Sequence, residues 1–86
     1  MEKEKNLYTV SIMILDRKKA AAEVNQTLTK KGHLFLGRMG IPLSRHCKKG
    51  CMAMINLTAE CSQEELEELI DILKAIEKTE VKYLKF

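Results

Sequence analysis

Apolar residues alternate with others from Leu7 to Leu15. Tyr8, Val10, Ile12 and Ile14 take one parity, and Leu7, Thr9, Ser11, Met13 and Leu15 the other. Period-two alternation rich in β-branched residues predicts a strand, and Met13 and Leu15 keep its second face from being plainly polar. Asp16 follows as a helix N-cap, because its carboxylate can accept from the amides of a first turn. From Arg17 to Lys31 the spacing changes to that of a helix, with Ala20, Ala21, Val24 and Leu28 forming a narrow apolar stripe. Lys30 and Lys31 suit the negative end of the helix dipole, and Gly32 suits the C′ position.

A second strand is expected from His33 to Leu43. Gly37 and Gly40 interrupt it, and Pro42, which cannot donate a ladder hydrogen bond, marks it as an edge strand or one ending in a bulge. The polar, basic segment Ser44 to Gly50 reads as a hairpin loop, and a third strand, Cys51 to Ala59, returns antiparallel. Ser62-Gln63-Glu64-Glu65 is a capping box, with the Ser62 hydroxyl capping forward and Glu65 reaching back. Behind it Leu66, Leu69, Ile70, Leu73 and Ile76 share one helical face. Thr79 to Phe86 closes the chain as a strand. The order β-α-β-β-α-β predicts an α+β, ferredoxin-like sandwich: a four-stranded antiparallel sheet with both helices on one face.

Helices on one face leave the other face of the sheet open, and in a monomer that face should be polar. Here it is not, whichever way the third strand turns: Met52 and Met54 oppose Ala53, Ile55 and Leu57, and Leu34 and Leu36 oppose Phe35, Met39 and Ile41. An uncovered apolar patch on a small protein points to an interface. A homo-oligomer, dimer or tetramer, is therefore expected, with Leu36, Gly37, Met39 and Ile41 of the edge strand as its candidate contacts. Size agrees, since a chain of 86 residues is one domain, 1–86, that buries only roughly two-thirds of its unfolded surface.

Charge narrows the partners. The net charge is +3 and the pI is near 8.8, with Lys and Arg interleaved with Glu rather than gathered on one stretch. That pattern argues against direct nucleic-acid binding. There is no apolar run of membrane-spanning length and no signal peptide at the charged start, so a cytoplasmic protein without a membrane partner is expected. The odd count of three cysteines argues against a disulfide framework.

Chemistry-bearing residues are sparse. His46, Cys47 and Cys51 lie within six residues at the hairpin, and imidazole with thiolates is a ligand set for zinc, iron or nickel; a metal or redox sensor is thus one alternative function. No paired carboxylates, phosphate loop or oriented Cys–His pair suggests an enzyme. The junction after the first strand, at Asp16 and Arg17, places a helix N-terminus where a ligand could bind.

Asp16-Arg17, Ala20, Val24-Asn25-x-x-Leu28 and Arg38-Met39-Gly40-Ile41-Pro42 together resemble the iron-only hydrogenase system regulators. These are short stand-alone proteins of anaerobes with an ACT-like fold, itself similar to the C-terminal domain of nickel-responsive repressors. The repressors' His-x-His nickel pattern is not matched. The resemblance implies a small regulatory or ligand-sensing module of a hydrogenase system. Its effector or partner protein would bind near Asp16, Arg17, Arg38 and Gly40, with the cofactor left unknown. A protein-interaction adaptor without ligand is the other alternative.

Overall fold

The computed structural model describes residues 4–43 and 51–86. The elements run β1 (Asn6–Ile14), α1 (Arg17–Lys30), a 3-10 turn (Gly32–Leu34), β2 (Phe35–Pro42), β3 (Ala53–Cys61), α2 (Gln63–Lys74) and β4 (Thr79–Lys85). They form one sheet in the order β2-β3-β1-β4, antiparallel at every pairing. This is the expected ferredoxin-like arrangement, in which each helix crosses over between non-adjacent parallel strands.

The register decides which residues meet the helices. Ile12 of β1 lies between Ile55 of β3 and Val81 of β4, and Val10 lies between Leu57 and Tyr83. Tyr8, Val10, Ile12 and Ile14 therefore point to the helical side and are almost fully buried. Against them pack Ala20, Val24 and Leu28 of α1 and Leu66, Leu69, Ile70 and Leu73 of α2. The inward face of β3 is the one carrying Ile55, Leu57, Ala59 and Cys61, so Met54 turns outward. Among the described residues no buried side-chain nitrogen or oxygen lacks a partner.

Several boundaries differ from those the sequence predicts. β3 starts and ends two residues later than Cys51 to Ala59, because Glu60 and Cys61 find partners in Leu7 and Asn6 of β1. At its start the hairpin is already closed by Leu43 N–H donating to Met52 O at 3.0 Å. Gly32 does hold the C′ position after the cap residue Lys31, but without a left-handed φ; the chain continues into the 3-10 turn and delays β2 to Phe35. β2 is the expected edge strand, yet its irregularity falls between Phe35 and Gly37, making Leu36 an extra residue rather than Pro42.

Both helix starts are fixed by side chains. Asp16 accepts from Lys18 N–H at 3.1 Å. At α2, Glu65 N–H donates to Ser62 Oγ at 3.2 Å, and Ser62 N–H donates to Glu65 Oε1 at 3.0 Å. The Ser62 N–H first, then the Ser62 hydroxyl, helped by the charges of His33 and Lys5, hold the Glu65 carboxyl below its usual pKa. At the end of α2, Ala75 N–H donates to Asp71 O and Ile76 N–H to Leu73 O, each at 3.2 Å, and the Thr79 hydroxyl is shared between Leu73 O at 2.9 Å and Ile76 O at 2.7 Å. Lys78 enters β4 in a left-handed conformation, φ 63, and its carbonyl accepts from Leu15 N–H at 2.7 Å.

The helical layer generates three stability predictions. Leu69 is fully buried, and Leu69→Ala should cost about 2–5 kcal/mol in urea unfolding, whereas Ser62→Ala should cost about 1 kcal/mol with an unchanged m-value. Because the folded pKa of Glu65 is lowered, its contribution is complete above the unfolded carboxyl pKa and is lost as pH falls below about 4.5. Glu65→Gln should therefore flatten the acid limb of a stability-against-pH curve, and an unchanged limb would count against the capping box as its source.

Candidate functional site

Where α1 ends its cover of the sheet, a groove of about 310 Å³ opens between α1 and β2. The physical cause is width. β2 holds the edge, and every one of its residues after Phe35 is exposed. Arg17, Ala21 and Asn25 stand at four-residue spacing on α1 and so share the face that overlooks the groove. From β2 come Arg38, Gly40 and Pro42, which the register sets opposite Leu57, Ile55 and Ala53 and hence on the helical side of the sheet. Ile14 and Ile55 supply a buried apolar floor.

Three of the four candidate ligand residues, Arg17, Arg38 and Gly40, thus line one groove. Asp16 stands beside it in a different role, as the cap. The first-turn amides are occupied: Arg17 N–H donates to Cys51 O at 2.8 Å, Lys18 N–H to the Asp16 carboxylate, and Lys19 and Ala20 N–H to Asp16 O at 3.2 and 3.0 Å. Arg17 therefore meets the groove through its side chain, not through a bare helix terminus. The Arg38 guanidinium donates through Nη2 to Asn25 Oδ1, which ties β2 to α1 across the groove. Asn25 belongs to the site although residue chemistry alone did not single it out; its signal was the four-residue spacing from Arg17 through Ala21.

The opposite face of the sheet carries the other candidate set. The register lines Ile41, Met54, Met13 and Glu80 in one row across the four strands, and Met39, Asn56, Ser11 and Lys82 in the next. Gly37 begins a third row with Thr58, Thr9 and Leu84. Met39, Ile41, Leu84 and Leu7 are exposed there, so this uncovered face is apolar at two opposite corners. Its centre is polar, with Ser11 Oγ donating to Asn56 Oδ1 at 2.7 Å. A shallow hollow of about 180 Å³ lies among Ser11, Met13, Met54, Glu80 and Lys82. Leu36 is 64% exposed at the bulge rather than in these rows.

The thiol chemistry divides differently. His46 and Cys47 lie outside the described residues, while Cys51 is buried ahead of β3 and, contrary to the expectation from the odd cysteine count, is disulfide-bonded and so offers no free thiol. Cys61 is a free, fully buried thiol whose pKa is raised by burial and by the nearby Glu65 carboxylate, which disfavours the reactive thiolate. Among the described residues no group of His, Cys, Asp and Glu is placed to hold a metal ion, and no helix is long and apolar enough to cross a membrane.

Comparison with known structures places this geometry. The uncharacterized protein TM1266 from Thermotoga maritima is similar with a TM-score of 0.87 at 29% identity, over 96% of this chain and 99% of that one. An unknown protein from Galdieria sulphuraria is similar at 0.73 and 12% identity, with 100% of this chain matching 52% of the other. CPII, a nitrogen regulatory PII-like protein from Thiomonas intermedia K12 solved with ADP, AMP and acetate, matches at 0.53 and 14% identity over 100% of this chain and 92% of its own. The latter two likenesses concern the fold alone. No curated protein matches the chain. A family model described as "Iron-only hydrogenase system regulator, putative" matches residues 6–83, nearly the whole βαββαβ unit, and the chain therefore belongs to the TM1266-like family.

Proposed function

We propose that this protein is a regulatory module of an iron-only hydrogenase system, one that self-associates through the open face of its sheet and binds a small effector in the groove between α1 and β2. The observation that carries the reading is the composition of β2. Alternate residues of this one strand serve two surfaces: Arg38, Gly40 and Pro42 lie on the groove side and Gly37 and Met39 on the open face, while Ile41, paired with Met54 on the open-face row, also borders the groove at its rim. An effector seated against the first set presses on the strand that carries the second, so binding and assembly share one structural element. The family description supplies the regulatory role and the link to hydrogenase. The PII-like fold neighbour, solved with ADP and AMP, is a signalling precedent for an α/β sandwich of this layout.

The action proposed is binding, not catalysis. The groove holds guanidinium, amide and apolar groups, which recognise a ligand but do not move protons at neutral pH. The output passes through assembly or through a partner protein.

Native mass spectrometry of protein purified without oxygen tests the reading, because it reports subunit number and bound mass together. The expected spectrum is an oligomer that carries a small-molecule adduct. Replacing Met39 and Ile41 together by Lys puts two like charges on the open face, at positions exposed in the single chain, and should yield monomers that keep their fold. An oligomer unchanged by that double substitution would remove the open face as the interface, and a wild-type monomer would remove self-association altogether.

A further inference from the structure

The groove between α1 and β2 has a charge imbalance that specifies its ligand. Among the described residues its polar lining consists of Arg17, Arg38 and Asn25, and no carboxylate lines it. Neither guanidinium has a carboxylate partner among the described residues, where the ion pair formed is Lys31 with Glu68 at 2.8 Å, elsewhere on the surface. Two cations held at one concavity repel each other, and an anion between them relieves that repulsion. Asn25 occupies one N–H of Arg38 and so orients the planar fork, leaving its other donors for a second acceptor. A guanidinium fork is matched in shape by a carboxylate or a phosphate.

The rest of the lining limits what the anionic group is attached to. Ile14, Ile55, Ala21 and Pro42 offer apolar surface, and about 310 Å³ sits at the lower end of ligand-pocket sizes. Gly40 keeps the space open: a Cβ built there meets nothing within 4 Å, so the room that a side chain would fill is left to the groove. Resting on the effector reading above, we infer that the effector is a small organic anion, its carboxylate or phosphate held by Arg17 and Arg38 and its apolar body laid on Ile14 and Ile55.

The test is a titration of the full chain followed by backbone amide NMR, with benzoate, phenyl phosphate and neutral benzamide as matched probes. Both anions should move the amides of Gly40, Arg17 and Ala21 and bind at least tenfold more tightly than benzamide, and the tighter of the two identifies the carboxylate or phosphate source. Arg38→Ala should weaken the anions at least tenfold. Gly40→Val, which the strand accommodates, should abolish the response while the spectrum stays dispersed. Benzamide binding as tightly as the anions overturns the inference but leaves an effector groove standing. Anion shifts that spread over the surface and survive Arg38→Ala reduce the effect to general screening and overturn it too, as does silence of the groove amides toward all three probes. The effector reading itself fails separately, when the native mass spectrum carries no adduct.

Discussion

Two helices cannot cover four strands, and the architecture follows from where the shortfall falls. α1 and α2 pack over β1, β3 and β4, because those strands present the inward row of Val10, Ile12, Leu57 and Val81. β2 is left at the edge with solvent on both faces. A bare edge strand exposes unpaired backbone groups and is a standing invitation to another chain. Here the exposure is limited by Pro42 at its end and the irregularity at Leu36 near its start. The same shortfall creates the groove, since side chains of α1 reach toward β2 without burying it.

Local signals made most of the fold readable from the sequence. Asp16 and the Ser62–Glu65 box mark helix starts through hydrogen bonds spanning two and three residues, so no tertiary information is needed to find them. What escaped was set by distant partners. The extension of β3 through Glu60 to Cys61 depends on β1 lying alongside, and glutamate by itself reads as the end of a strand. Which face of β3 turns inward was undecidable from a strand apolar on both sides; pairing Ile55 with Ile12 and Leu57 with Val10 decides it. In the groove, Arg17 stood out through its place after the first strand, and Arg38 and Gly40 through family resemblance. Asn25 figured in the resemblance but not as a ligand residue, because its role exists only once the 13-residue span to Arg38 closes in space.

The open face is neither a hydrophobic core cut in half nor an ordinary solvated surface. Its centre is held by the Ser11–Asn56 hydrogen bond, and charged Glu80 and Lys82 line the β4 side. Apolar side chains gather instead around Met39, Ile41, Met54 and Met13 at one corner and Leu7 and Leu84 at the other. A face of this kind can remain exposed in a free chain without severe penalty, because its polar groups keep their water or each other. A partner packed on it would be held to particular orientations, since the half-buried Ser11 and Asn56 must not lose their bond while the thioethers adapt to whatever packs on them.

The two-residue period of a strand gives the design its economy. Successive side chains of β2 point to opposite sides of the sheet, so the groove and the open face are separated by one strand's thickness rather than by a long chain of intermediates. On the reading proposed above, coupling across so short a path would require no relay: a small shift of β2 toward α1, drawn by an anion held at Arg38 and Arg17, would move Met39 and Ile41 with it. Linkage then fixes the reverse effect. If assembly changes effector affinity by some factor, the effector changes assembly by that same factor, and a factor of ten on either side corresponds to about 1.4 kcal/mol. An edge strand with few buried contacts is the element best able to supply a displacement of that energy without disturbing the core beneath α2.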